Sequence, residues 1–386
     1  MREKLCLDAI VIGAGPGGLA AAQQLKANGI EPLVIEKADR VGAVWRRHYD
    51  RLHLHTPRVH SALPGMKMPR AFGRYPARDD VVAYLESYAR AFGIAPKFET
   101  EARAIRRDGS DWLVETSAGD MSAPVVVVAT GWADFPHRPR WPGMEEFAGE
   151  ILHSNAYVSG ARFKDKRVLV IGFGNSGAEI ALDLCERGAG ATISQRSPVR
   201  ILPRDLFGIP VLSFAIAQAA LPPRIADLIN EPALRLIVGS IPSLGLQRSR
   251  KGALQMIAED GRVPVLDVGT VARIRAGAIA VRGGVERFAR DGVVFADGRA
   301  ERFDVIVLAT GFRPDLRALL PDTPQVLDAA GRPKVSDGPS AQPGLYFIGT
   351  TLVATGQLRQ IAIGAQAIAR DARRLRASLA VSAPAP

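Results

Sequence analysis

The strongest constraint on this 386-residue chain is a glycine pattern that occurs twice, each time between an apolar run and a helix-forming segment. In the first copy, Ala9 to Ile12 leads into Gly13-Ala14-Gly15-Pro16-Gly17-Gly18. An alanine-rich segment follows as far as Gly29, and a second apolar run, Leu33 to Ile35, ends on Glu36. The order is strand, tight turn, helix, strand: one βαβ unit. In such a unit Gly13 permits the turn, Gly15 lets a pyrophosphate approach the backbone, and Gly18 lets the helix lie close to the strand. Free N–H groups and the positive end of the helix dipole then face the phosphates. Glu36 ends the next strand, where a carboxylate accepts hydrogen bonds from ribose hydroxyls.

The second copy runs from Arg167 to Ile171 into Gly172-Phe173-Gly174-Asn175-Ser176-Gly177, then a helix over Ala178 to Glu186 and a strand over Ala191 to Ser194. Its last strand ends on Gln195-Arg196-Ser197, with no acid. Arginine is the residue type that receives a ribose 2′-phosphate. One site with an acid and one with an arginine predict FAD in the first and NADPH in the second. The expected fold is α/β, with two Rossmann-like dinucleotide-binding domains. An FAD domain, residues 1–162 and 301–386, is interrupted by an NADPH domain over 163–300. Buried strands that end in Ala129-Thr130-Gly131 and Ala309-Thr310-Gly311 fit two crossings between these domains.

Several function classes are disfavoured. The chain is 47% hydrophobic and 23% charged, as in ordinary soluble globular proteins. Its net charge of +11 comes from scattered arginines, without the basic runs and interleaved aromatics of single-strand binders. No nucleic-acid partner is expected; a basic surface also draws in anionic cofactors and substrates. The two cysteines, Cys6 and Cys185, form no CxxC pair, which argues against a dithiol centre or a zinc ribbon. His48, His53, His55 and His60 lie in the irregular stretch Val41–Gly65, where Asp50 is the nearby acid, so a loop over a cofactor is preferred to a metal site. Ile201 to Leu246 is apolar but broken by prolines, below the roughly 20 residues of a bilayer span. Short helices over a pocket are expected there, with a homodimer face or interfacial membrane contact as alternatives. No signal-peptide pattern precedes the first strand, so a cytoplasmic location is expected. From Gln357 the chain reads as helix, with a frayed tail after Ala380.

Phe147 to Tyr157 reads FAGEILHSNAY and matches FxGxxxHxxxY. Together with both glycine motifs and both Ala-Thr-Gly turns, it resembles the flavin-containing monooxygenases over nearly the whole chain. Tyr49-Asp50-Arg51-Leu52-His53-Leu54-His55, Ile201-Leu202-Pro203-Arg204-Asp205 and Pro264 to Thr270 (PVLDVGT) resemble stretches of the YUCCA-type indole-3-pyruvate branch. Amine-oxidising members carry an asparagine near Thr56, which this chain lacks. The resemblance implies that NADPH reduces FAD, that reduced FAD captures O₂ as a C4a-peroxide, and that a 2-oxo acid such as indole-3-pyruvate is decarboxylated to indole-3-acetate. N- or S-oxygenation of an amine or sulfide is the enzymatic alternative, and an FAD-binding protein without oxygenase activity the non-enzymatic one. A Baeyer–Villiger enzyme or a disulfide reductase fits less well.

Carried over by resemblance, the FAD site is Gly13, Gly15, Gly18, Glu36, Lys37, Trp45, Thr130, Gly131 and Gly349. The NADPH site is Gly172, Gly174, Asn175, Ser176, Gly177, Arg196 and Ser197. Tyr75, Thr310 and Gly311 are expected between the two. Phe147, Gly149, His153 and Tyr157 are expected to be a structural linker. Arg51, Arg204 and Arg359 are candidates for the substrate carboxylate, and Thr56 for the oxygenating side of the flavin.

The arginine assignment predicts that Arg196→Ala raises the KM for NADPH by about tenfold or more, the weight of a lost charge-assisted contact, while the KM for NADH changes little. Steady-state kinetics with both nucleotides checks it; equal effects on the two would refute a 2′-phosphate contact.

Overall fold

Two five-stranded, largely parallel sheets carry the two glycine turns at the ends of interior strands. The computed structural model describes residues 5–382. In the first sheet the order is Gly338–Pro339, Leu345–Phe347, Val126–Val128, Ala9–Ile12, Pro32–Ile35. In the second it is Ile279–Arg282, Gly190–Ser194, Arg167–Ile171, Val305–Leu308, Glu150–His153. The first sheet is parallel except at the Gly338–Pro339 edge, and the second is parallel throughout. Both faces of a parallel sheet are covered, so its strands are near-continuous Val and Ile runs, as Ala9–Ile12 and Val305–Leu308 are.

Two strands of the second sheet, Glu150–His153 and Val305–Leu308, lie outside the 163–300 span read from the sequence. Parallel neighbours need long crossover connections. The sheet therefore recruits strands on either side of the insertion, and the chain passes between sheets nearer the two Ala-Thr-Gly turns.

The two glycine units repeat each other closely. The Gly13 N–H donates to the Ile35 carbonyl and Gly172 N–H to that of Ser194, at 2.8 and 2.9 Å. Their φ values, +111° and +113°, belong to glycine. A Cβ on Gly13 would lie 2.6 Å from the Ala129 carbonyl oxygen, and one on Gly172 would lie 2.4 Å from that of Ala309. The helices Pro16–Ala27 and Asn175–Glu186 start at these turns. Gly18 and Gly177 sit so close to the turn that a Cβ would come within 1.8 and 2.1 Å of the Gly13 and Gly172 carbonyl oxygens.

Around the first sheet, the helices Pro16–Ala27, Arg78–Ala91 and Gln357–Ser382 bury one apolar face. The last helix contributes Ile361, Ala365, Ile368, Ala369 and Ala372, one stripe at helical spacing. Its helical residues run to Ser382; the end of the expected frayed tail, 383–386, lies outside the described residues. The other face of the sheet packs on a smaller sheet of Leu5–Cys6, Met121–Ala123, Asp111–Thr116 and Ala102–Asp108. Each large apolar side chain buried in these clusters contributes about 1.5–3 kcal/mol.

The apolar stretch after Ile201 contains the helices Val211–Ala217 and Pro223–Val238. Pro232 sits inside the second helix instead of ending it, on its exposed side. A proline there cannot donate to the carbonyl one turn earlier, which is left to solvent. Between the strands Val265–Asp267 and Ile279–Arg282 lies a short helix at Thr270–Arg275. Among the described residues, no helix is long and apolar enough to cross a membrane.

Candidate active site

A cavity of about 1180 Å³ opens from the first glycine turn and runs past the first Ala-Thr-Gly turn. That exceeds the usual range for small-molecule pockets, roughly 300–1,000 Å³, and suits an extended dinucleotide. Of the expected FAD residues, Gly13, Gly15, Glu36, Lys37, Trp45, Thr130, Gly131 and Gly349 line it, and Gly18 lies beneath as packing. A Cβ on Gly15 or Gly131 would meet no atom within 4 Å, so both turns present bare backbone to open space. Both Glu36 carboxylate oxygens accept backbone hydrogen bonds, from Ala14 N at 2.7 Å and Ala38 N at 2.9 Å. The carboxylate is thereby held rigid with lone pairs left for ribose hydroxyls. Thr130 Oγ1 is buried beside it without a partner in the protein.

Lys37 is tied into a charge cluster: its Nζ lies 3.0 Å from Asp134, and Arg47 lies 2.8 Å from the same carboxylate. Burial pushes the Asp134 pKa up, but the hydrogen bonds from Arg47 and Lys37 outweigh it and leave the group below the ordinary carboxylate value. His48 lines the cavity from the loop expected over a cofactor; Trp132 and Phe312 also line it, and no sequence pattern had singled those two out. Trp132 donates to the Gly349 carbonyl at 2.8 Å, which fixes its ring against the wall. His48 is lowered to about 4, first by burial and then by the charges of Arg47 and Arg78, with Glu179 opposing. It is a neutral imidazole at neutral pH.

The second turn offers the same bare backbone at Gly174, where a Cβ would again meet nothing within 4 Å. Arg196 is exposed at the strand end, next to Ser197, and no carboxylate pairs with it among the described residues. His137 is lowered by burial and then by the Arg313 and Arg196 charges, both of which act on its imidazole. An unpaired cationic corner of this kind suits a phosphate. The residues present therefore fit FAD at the first turn and NADPH at the second.

Asn175 does a different job: its Nδ2 donates to the Pro264 carbonyl and its Oδ1 accepts from Leu266 N. It forms part of the wall of a second, apolar cavity of about 270 Å³. Leu202, Leu206, Val211, Leu212 and Phe214 come to this wall from the stretch after Ile201, and Leu352 to Ala354 close the opposite side. His55, Thr56 and Gln357 line both cavities and mark where they meet. Thr56, expected on the oxygenating side of the flavin, lies on the wall that the two cavities share. His53 and His55, alternating in sequence, do not converge: His53 Nδ1 meets the Arg51 carbonyl, and His55 Nε2 lies 2.8 Å from Glu179.

Arg51, Arg204 and Arg359 do not line the apolar cavity, so the structure moves the carboxylate assignment away from them. Arg51 pairs with Glu186 on the outer part of the Asn175–Glu186 helix. Arg204 stacks on the Tyr75 ring at 4.1 Å, and the Tyr75 hydroxyl donates to Asp205 at 2.7 Å. Tyr75 lines neither cavity and belongs to this cation–π and hydrogen-bond cluster. Arg359 stands near His60, whose imidazole is lowered by burial and then by that charge.

The FxGxxxHxxxY residues hold elements together. Phe147 is buried, and a Cβ on Gly149 would lie 2.5 Å from the Asp304 carbonyl oxygen. His153 accepts from Asn155 N through Nδ1 and donates through Nε2 to the Gly311 carbonyl at 3.1 Å. Tyr157 donates to Asp183 at 2.6 Å, and the same oxygen accepts from Gly160 N. Thr310 Oγ1 donates to the His137 carbonyl. His153 and Thr310 thus brace the second Ala-Thr-Gly turn without touching either cavity.

The protein family described as pyridine nucleotide-disulphide oxidoreductase matches residues 10–202. An indole-3-pyruvate monooxygenase, YUCCA1 of Oryza sativa subsp. japonica, is 41% identical over 357 residues, 91% of this chain and 88% of that protein. The chain belongs to the YUCCA-type flavin-dependent monooxygenases. YUCCA6 of Arabidopsis thaliana is 38% identical over 89% of this chain and 85% of its own. The flavin-containing monooxygenase from Stenotrophomonas maltophilia superposes with a TM-score of 0.71 at 25% identity, over 98% of this chain and 100% of that one. A steroid monooxygenase bound to NADP shares the fold, with a TM-score of 0.75 at 19% identity over 98% and 87% of the two chains. This chain is an enzyme of that monooxygenase class, and its cofactors are FAD and NADPH.

The state of His48 has a measurable consequence. Its folded pKa, about 4, lies below its ordinary value of 6.5. Between those values the unfolded chain binds more protons than the folded one, so this contribution is complete above 6.5 and is lost as pH falls toward 4. Urea unfolding of the FAD-loaded protein should show about 2 kcal/mol less loss between pH 7 and pH 5 in His48→Gln than in the parent. An identical loss in both would show that His48 is not held neutral.

Proposed function

We propose that this YUCCA-type monooxygenase oxidatively decarboxylates a 2-oxo acid with an aromatic side chain, with indole-3-pyruvate giving indole-3-acetate. The observation that carries this reading is the apolar cavity opening onto the flavin cavity at His55, Thr56 and Gln357. A planar hydrophobic ring suits walls of leucine, valine and phenylalanine. Its 2-oxo acid end then projects toward the shared mouth. The names of relatives that are 36–41% identical support the same substrate class.

The balance is one 2-oxo acid, one O₂, one NADPH and one proton giving the shortened acid, CO₂, water and NADP⁺. FAD, reduced by NADPH, supplies the electrons for oxygen activation. The chain's own residues bind, orient and exclude water. Glu36 and the two bare glycine turns hold the nucleotide ends, and Arg196 selects the phosphorylated ribose. Trp132 and Phe312 wall the first cavity, while Leu202, Leu212 and Phe214 keep the second dry. A dry site suppresses side reactions with water and strengthens the electrostatic contacts within it. No acid–base pair is needed in the apolar wall: its carboxylate, Asp227, accepts from Leu254 N and Gln255 N and so caps a helix.

The test follows NADPH consumption by the yellow protein while indole-3-acetate is quantified by mass spectrometry. About one indole-3-acetate per NADPH is expected from the balance above. NADPH oxidation that releases hydrogen peroxide and no indole-3-acetate would refute the substrate.

A further inference from the structure

The apolar cavity recognises its ligand's polar end with few groups, and most are already engaged. Asn175 bonds both Pro264 and Leu266. Asn230 and Gln218 form a reciprocal amide pair at 2.8 and 3.1 Å. Both Asp227 oxygens accept backbone hydrogen bonds at a helix start, so the group offers a ligand carboxylate no donor. At the mouth, Ser61 Oγ donates to the Thr56 and Pro57 carbonyls. The Thr56 and Ser61 hydroxyls bond each other at 2.7 Å, so Thr56 Oγ1 is already engaged.

Two groups remain, both at the mouth. Gln357 Nε2 and His55 Nδ1 are buried and have no hydrogen-bond partner in the protein. Buried polar atoms in folded proteins are nearly always paired, so such orphans call for an explanation. The side chains border the flavin cavity and the apolar pocket together. His55 is held through its other nitrogen, 2.8 Å from Glu179, a carboxylate 4% exposed. That contact engages Nε2 and leaves Nδ1 as the ring's unpaired nitrogen.

We propose that the carboxylate of the acid substrate is received at the cavity mouth by the Gln357 amide and the His55 imidazole, with Glu179 positioning His55, and not by an arginine. This rests on the 2-oxo acid reading above and names the groups that would select the acid. Gln357 opens the Gln357–Ser382 helix, directly after Gly356, where a Cβ would come 3.1 Å from the Thr56 Cγ2. Gly356 thus lets the start of this helix come up against Thr56, which sets Gln357 at the junction.

The experiment titrates FAD-loaded protein with indole-3-acetate, a stable carboxylate, and with 3-methylindole, which has the ring alone, following the flavin absorbance. Indole-3-pyruvate turnover is measured in parallel. Gln357→Leu should weaken indole-3-acetate about tenfold or more while 3-methylindole stays within about twofold, because only the acid loses a hydrogen-bond partner. Gln357→Glu, nearly the same shape, should weaken the acid further by like-charge repulsion and serves if the leucine variant loses FAD. Arg204→Ala, outside the pocket, should leave the acid within about twofold. Equal losses for acid and ring, no loss for the acid, a loss in Arg204→Ala in its place, or no binding of the acid by the parent would each overturn the assignment. If the parent binds the acid but decarboxylates no 2-oxo acid, the function fails and the mouth assignment stands. Turnover with unchanged acid binding in Gln357→Leu has the opposite meaning.

Discussion

Everything in this molecule depends on a backbone contact made twice. At the end of one interior strand in each sheet a glycine at positive φ sits against the carbonyl of the alanine that begins the Ala-Thr-Gly turn: Gly13 against Ala129, and Gly172 against Ala309. A side chain would push the two strands apart at the point where each nucleotide must lie. With glycine there, the strand ends, the helix N-terminus and the crossing turn converge within one bond length of contact. The bare Gly15, Gly131 and Gly174 then face open space with their N–H groups and the helix dipole. Two such units, placed in one chain so that the Ala-Thr-Gly turns carry it between sheets, make a two-cofactor enzyme.

The second dependence is the docking of the sheets. The Asn175–Glu186 helix presents Ser176, Glu179 and Asp183 toward the other half of the chain. Tyr49 is buried against Ser176 and Glu179, His55 faces Glu179, and Tyr157 bonds Asp183. Burial raises the Tyr49 and Tyr157 hydroxyls, so both remain neutral donors. A buried carboxylate is costly without partners, and here the partners come from the stretch that also lines the flavin cavity. The identifying FxGxxxHxxxY pattern is thus a brace. His153 holds Gly311, and Tyr157 holds the helix that follows the second turn.

What the sequence made legible follows from what is local. The βαβ units could be read because turn, helix and strand lie within a few dozen residues, and each glycine has one steric reason. The acid at Glu36 and the arginine at Arg196 could be read because each follows closely on its strand, Glu36 at the first cavity and Arg196 exposed. Sheet membership was harder: Glu150–His153 and Val305–Leu308 join a sheet whose other strands lie between them, and nothing local marks that. Proline was also over-read, since Pro232 lies on the exposed side of a helix that continues through it. The arginines expected at the carboxylate lie outside the apolar cavity: Arg51 pairs with Glu186 and Arg204 stacks on Tyr75 beside Asp205, and such contacts with residues elsewhere in the chain are invisible in a motif. Gln357 carried no signal at all, because its place at the mouth depends on Gly356 meeting Thr56.

The most direct measurement is a crystal structure of the FAD-loaded protein with NADP⁺. The account predicts the adenine-side ribose on Glu36, the isoalloxazine ring at His55, Thr56 and Gln357, and the 2′-phosphate on Arg196. An isoalloxazine ring turned away from that mouth, or a 2′-phosphate distant from Arg196, would contradict it.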